Sequence, residues 1–168
     1  MRFACRFPIA LLALAVSQAR ATPPSAPLTL TAAQSAAVRQ GVRSFTESVA
    51  HDVRQQGPIA WSRYFEDSPA FFMAVNGRMI FPSGAAARAG IPQVARTFRR
   101  VDLHWGSELR IDPLTPTLAM VAIPWRETLT DAAAHVTQQA GYFTATAESR
   151  NGHWRFRDAH WSAPVGKP

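Results

Sequence analysis

The run Val101-Asp-Leu-His-Trp-Gly-Ser-Glu-Leu-Arg-Ile-Asp112 alternates in hydropathy almost from end to end. Val101, Leu103, Trp105, Leu109 and Ile111 fall on one face. Asp102, His104, Glu108, Arg110 and Asp112 fall on the other. Alternation with period two describes a strand with one covered face and one wet face. The stretch Leu118–Leu129 is apolar on both faces and reads as a central strand. Thr130–Gln139 reads as a loop and Gly141–Glu148 as a strand. Arg150-Asn151-Gly152 reads as a turn, and His153–Ser162 as the last strand.

The cover for this sheet lies upstream. Thr31, with Gln34 three residues on, forms a capping-box pattern. Val38, Val42, Phe45, Val49 and Val53 then recur at spacings of four and three, so one helix face is apolar. Gly57-Pro58 ends this helix, and Pro58 suits the first turn of a second, shorter one, in which Trp61, Tyr64 and Phe65 share a face. Ala70–Val75, Asn76-Gly77 and Arg78–Phe81 read as a hairpin on a favoured two-residue turn. Pro92–Phe98 suggests a third helix. Helices first, then a hairpin, a helix and a run of antiparallel strands describe an α+β domain. Its three N-terminal helices pack on one face of a curved, mostly antiparallel sheet.

Met1–Ala21 reads as a signal peptide, with Arg2 and Arg6 ahead of the apolar stretch Phe7–Val16 and Ala19-Arg20-Ala21 at the cleavage position. Residues 22–29 form a Pro-rich tether, and residues 30–163 a single domain. The expected location is periplasmic or secreted. The apolar stretch is shorter than the roughly twenty residues that span a bilayer, so no stable membrane insertion is expected.

The chain of 168 residues carries 18 Lys+Arg against 11 Asp+Glu, a net charge of +7. Cleavage after Ala21 removes Arg2, Arg6 and Arg20 and no acid, leaving 15 basic residues against 11 acidic, or +4. The remaining Arg residues are scattered, which argues against nucleic acid as a partner. A single Cys excludes a disulfide framework and a Cys-based zinc site. The five His residues show no paired ligand spacing, and nucleotide fingerprints are absent, so no metal and no cofactor are expected.

Four stretches together resemble the nuclear transport factor 2 superfamily, in its SnoaL-like and calcium/calmodulin-dependent kinase association-domain-like branch. They are Trp61–Phe72 with Phe81-Pro-Ser-Gly84, Gly90–Phe98, Leu114–Val121, and Gly141–Thr144 leading to Asn151-Gly-His-Trp154 and His160-Trp-Ser162. The resemblance spans nearly the whole domain. It implies a cone-shaped α+β barrel with a cavity between sheet and helices, and homodimers paired through the sheet face. The superfamily includes isomerases, cyclases and dehydratases beside members that only bind or assemble, so the resemblance names no activity. Its steroid isomerases place a carboxylate base in the first hairpin. Here that hairpin reads Phe71-Phe-Met-Ala-Val-Asn76, without one.

Period two puts Trp154, Phe156, Asp158, His160 and Ser162 on one face of the last strand, which would carry Asp158 and His160 toward the cavity. An Asp beside a His can orient the ring as a general base. Local hydrogen bonding at the end of the sheet accounts for the same residues. Glu127 shares a face with Trp125 and must be paired, raised in pKa or functional. Tyr64, Trp61, Phe72 and Trp105 are candidate cavity walls, and core packing needs the same residues. Three readings follow. The first is an exported domain that binds a small, largely apolar molecule through Tyr64, Trp125, Glu127, Trp61, Phe72 and Trp105. The second is a cofactor-independent isomerase, lyase or hydrolase, with His160 as base and Asp158 as its partner. The third is a non-catalytic dimeric assembly module, whose sheet face carries Asp102, His104 and Arg110.

Overall fold

The computed structural model describes residues 29–164. The signal peptide and most of the tether read from the sequence lie outside them. The elements are α1 (Ala32–Gln56), a 3-10 helix (Gly57–Arg63), β1 (Phe72–Val75), β2 (Arg78–Phe81) and α2 (Gly84–Thr97). There follow β3 (Phe98–Trp105), β4 (Arg110–Thr115), β5 (Leu118–Asp131), β6 (Val136–Arg150) and β7 (His153–Ser162).

The architecture is α+β, with two α-helices among the described residues where three were expected. The segment opened by Pro58 is a 3-10 helix, tightened between the end of α1 at Gly57 (φ 71°) and Tyr64. The last helix begins earlier than the expected Pro92. The Ser83 side chain caps it by accepting from Ala86 N at 3.2 Å, and Pro92 sits inside it. The Ala-rich start of α2 lacks an apolar stripe, so periodicity alone passes over it. At α1 both halves of the capping box form: Gln34 N donates to Thr31 Oγ1 at 3.1 Å, and Thr31 N donates to Gln34 Oε1 at 2.9 Å. Val38, Val42, Phe45, Val49 and Val53 are all buried.

The strands form one mixed sheet in the order β2-β1-β7-β6-β5-β3, with β4 pairing the first half of β5. All pairings are antiparallel except β1 with β7. The sheet does not close on itself, so the expected barrel is an open sheet. The alternating run Val101–Asp112 divides into β3 and β4. Both lie against β5, whose 14 residues are long enough to pair β3 at Trp125–Asp131 and β4 at Leu118–Ala122. The expected loop Thr130–Gln139 is instead the end of β5, a turn through Ala134 (φ 69°), and the start of β6. Its Val-Thr-Gln-Gln sequence lacks strand hydropathy because the ladder to Glu127–Thr130, not burial, holds it there.

Four bulges interrupt the alternation among the described residues, one of them at Leu114 in β4, and the other three bear on the faces next to the cavity. Ile80 is the extra residue in β2, Arg99 in β3 and Arg157 in β7. Each shifts the alternation by one, so residues beyond it exchange faces. The inner face of the sheet packs an aromatic cluster around Phe143. Its ring centroid lies 4.6 Å from that of Trp161, 5.1 Å from that of Phe156 and 5.4 Å from that of Trp105. Fully burying one such side chain contributes about 1.5–3 kcal/mol.

Candidate functional site

Between the inner face, α2 and the β1–β2 hairpin lies a cavity of about 530 Å³. That volume suits a small molecule, because ligand pockets run to about 300–1,000 Å³. Trp61, Phe65, Trp125 and Trp161 make its deep wall, and Ile80, Phe81, Ile91, Val94 and Phe98 its outer wall. Its polar groups are Glu127, Gln139, Thr137 and Asn76. Asn76 is held by the fold, since its Oδ1 accepts from Ala163 N at 2.7 Å. Glu127 is the ionisable group on the wall. Gln139, directly opposite it on β6, donates from Nε2 to Glu127 Oε1 at 2.5 Å. Burial pushes the Glu127 carboxyl above the usual carboxylate range, and the Gln139 hydrogen bond pulls it partly back. Trp125 beside it is buried, and its Nε1 has no hydrogen-bond partner among the described residues.

Of the residues singled out from the sequence, Trp61, Trp125 and Glu127 meet on this wall. The others stand elsewhere. Tyr64 faces α1, where its hydroxyl donates to Asp52 Oδ2 at 2.5 Å. Arg63 Nη2 reaches the same carboxylate at 2.7 Å. Burial, followed by the Asp52 hydrogen bond, raises the Tyr64 phenol to about 12. Trp105 is on the inner face but closes the core, donating from Nε1 to Thr46 O at 2.7 Å. Phe72 is on the outer face of the sheet, opposite Asp158 in register, and 43% exposed.

Asp158 and His160 do not point to the cavity. Phe156 pairs with Ala147 and Asp158 pairs with Thr146, so Arg157 between them is unpaired and the strand changes phase. Ala159 and Trp161 turn inward, while Asp158, His160 and Ser162 turn outward. Asp158 Oδ1 accepts from Thr146 N at 3.0 Å, and Ser162 Oγ donates to Tyr142 O at 3.0 Å. The cavity instead receives Trp161, which strict alternation had placed outside. Gln139 was missed because its segment read as a loop. No sequence signal marks the bulge that delivers Trp161.

The outer face carries a second, polar concavity of about 500 Å³, lined by Asp102, His104, Arg126, Thr128 and Gln138 among others. His104 Nε2 lies 3.1 Å from Asp102 Oδ1, and Arg110 Nε donates to Asp112 Oδ2 at 2.8 Å. Among the described residues no cluster of three or more His, Cys, Asp or Glu could hold a metal ion. No helix among them is long and apolar enough to cross a membrane.

No protein-family model matches the chain, and no curated protein matches it. Solved structures do. A nuclear transport factor 2-like superfamily protein from Salmonella enterica superposes with a TM-score of 0.67 at 14% identity, over 79% of this chain and 95% of that one. A scytalone dehydratase candidate from Novosphingobium aromaticivorans gives 0.68 at 13% identity, over 80% and 89%. A candidate calcium/calmodulin dependent protein kinase II association domain from Xanthomonas campestris gives 0.61 at 15% identity, over 75% and 87%. At these identities the likeness is one of fold, and the fold of this chain is that of the nuclear transport factor 2-like superfamily.

Proposed function

We propose that the chain is an exported domain that binds a small, largely apolar molecule in the inner-face cavity, with Glu127 as its polar contact. The observation that carries this reading is the cavity itself: Trp61, Trp125 and Trp161 on one wall, aliphatic side chains on the other, and a carboxyl raised in pKa between them. Residues 1–21 support export. A carboxyl of this kind is protonated over a wider pH range than an exposed one, so it can donate to a ligand oxygen. The test is a titration with the neutral apolar fluorophore N-phenyl-1-naphthylamine. Saturable binding is expected for the parent chain, and a loss of at least tenfold in affinity for Val94→Trp, which fills the outer wall. No binding, or equal binding by the variant, contradicts the reading.

A second reading is a cofactor-independent isomerase, lyase or hydrolase on the same cavity. The raised pKa of Glu127 favours it, because a general acid or base works best when its pKa lies near the operating pH. On this geometry the acid–base group is Glu127, and the dehydratase candidate among the solved relatives is the natural precedent. The assembly reading rests on the outer sheet face, with its Asp102–His104 pair and exposed Phe72 and Tyr142, as the surface of a homodimer.

A further inference from the structure

The inner cavity carries charge of one sign. Glu127 is the ionisable side chain among the described residues that line it, and no Arg, Lys or His joins it there. Six aromatic rings line the same space: Trp61, Phe65, Phe81, Phe98, Trp125 and Trp161. The face of an aromatic ring carries the negative end of its quadrupole. Trp61 and Trp125 stand at 90° and 76° to Trp161, with centroids 5.5 Å and 5.1 Å from its own. A guest in that corner meets ring faces as well as edges.

The polar end of the cavity offers acceptors. Gln139 Nε2 donates to Glu127 Oε1, which leaves Glu127 Oε2 and Gln139 Oε1 without hydrogen-bond partners among the described residues. Glu127 forms no ion pair among them. Trp125 and Leu129 flank it on the same face of β5, and Leu103 stands opposite it on β3. Arg126 and the Asp102–His104 pair lie on the outer face. Arg54, near the end of α1, donates to Leu103 O at 2.7 Å rather than to Glu127.

A hydrocarbon guest leaves Glu127 Oε2 unused. A guest with a neutral oxygen engages the carboxyl but gains nothing from the ring quadrupoles. An anion is repelled by the carboxylate and by the ring faces together. A cation satisfies both. Ring faces attract an ammonium group within about 6 Å of their centroids, and a carboxylate accepts its N–H bonds with the assistance of charge. Burial holds the Glu127 carboxyl above its usual range, and an opposite charge beside it favours the ionised form. Seating an ammonium group therefore releases the carboxyl proton to solvent.

We propose that the inner cavity selects a hydrophobic organic cation, an aryl- or alkylammonium ion, held by Glu127 and the corner of Trp61, Trp125 and Trp161. This rests on the ligand-binding reading and names its ligand class.

The test is isothermal titration calorimetry with three ligands built on one aromatic body: 1-naphthylmethylamine, 1-naphthylmethanol and 1-naphthoate. N-phenyl-1-naphthylamine is titrated beside them. The amine is expected to bind roughly tenfold or more tightly than the alcohol, and the carboxylate most weakly. Glu127→Gln should remove the preference and bring the amine to the affinity of the alcohol. Val94→Trp, which fills the outer wall, should weaken amine and alcohol alike. A thermal melt confirms that each variant folds. An amine that binds no more tightly than the alcohol overturns the proposal, and so does a preference that survives Glu127→Gln. Amine binding unaffected by Val94→Trp also overturns it, because the cation then sits in the outer concavity, which Glu127 borders as well. The two readings fail separately. Binding of N-phenyl-1-naphthylamine and the alcohol without an amine preference defeats the cation alone. Binding of the amine alone, lost in both variants, supports the cation and contradicts a neutral apolar ligand. No binding by any of the four defeats both.

Discussion

Phe156 and Asp158 lie two residues apart in one strand and point to opposite faces of the sheet. Phe156 is fully buried among the inner aromatic rings, and Asp158 accepts from the backbone of Thr146 outside. Arg157 between them is the extra residue that turns the strand over. Deleting Arg157 would put Asp158 and His160 inside and turn Ala159 and Trp161 out, or force the bulge to move. The deletion is expected to abolish cooperative unfolding. Arg157→Ala removes only a long surface contact to Glu148 at 3.8 Å and should cost less than about 1 kcal/mol. Urea denaturation of both variants checks this.

The same bulge decides that Trp161, and not its neighbour His160, faces inward. His160→Ala, on the outer face, should leave N-phenyl-1-naphthylamine affinity unchanged and shift stability by no more than about 0.5 kcal/mol. Trp161→Ala removes a ring packed on Trp61, Trp105, Trp125 and Phe143, and should cost about 3–5 kcal/mol while altering probe binding. Denaturation paired with probe titration reads both effects.

Glu127 sets a pH dependence of definite sign. Its folded-state pKa is raised by burial, so the folded state binds the proton more tightly than the unfolded chain does. The stability it contributes is present below the unfolded carboxyl pKa and is lost as pH rises through the folded value. Glu127→Gln keeps an acceptor for Gln139 and cannot ionise. The variant should therefore be more stable than the parent at neutral pH, and the difference should vanish in acid. Denaturation midpoints measured from acid to neutral pH test this, and a difference that grows in acid would contradict it.

Tyr64 ties the 3-10 helix to α1 through Asp52 rather than lining the cavity. Tyr64→Phe should cost about 1.5–3 kcal/mol, the range for hydrogen bonds to charged groups, with no change in probe binding. Its phenol, raised to about 12 by burial and then by Asp52, should remain protonated when an ordinary tyrosine ionises. The stability it contributes is full below the unfolded value near 10 and is lost as pH climbs through about 12. Ultraviolet titration of the parent against Tyr64→Phe reads the delayed ionisation.

Much of the fold was legible where local signals agreed. The capping box at Thr31, the Asn76-Gly77 and Asn151-Gly152 turns with positive φ, and the valine stripe of α1 all stand where the residues put them. The site was legible in part. Trp61, Trp125 and Glu127 follow from simple periodicity within unbroken elements. Asp158, His160 and Trp161 do not, because a bulge is one residue of geometry with no composition of its own. Gln139 and the start of α2 were missed for a different reason. Backbone pairing and a side-chain cap, rather than apolar burial, place those segments.

The central claim is that the inner-face cavity, not the outer sheet face, is where a small apolar molecule sits. A crystal structure of the chain with bound N-phenyl-1-naphthylamine tests it most directly. The expected result is density for the probe enclosed by Trp61, Trp125 and Trp161, with Glu127 at its edge. Density against Asp158 and His160 on the outer face, or an inner cavity closed by side chains with the probe excluded, would contradict the account.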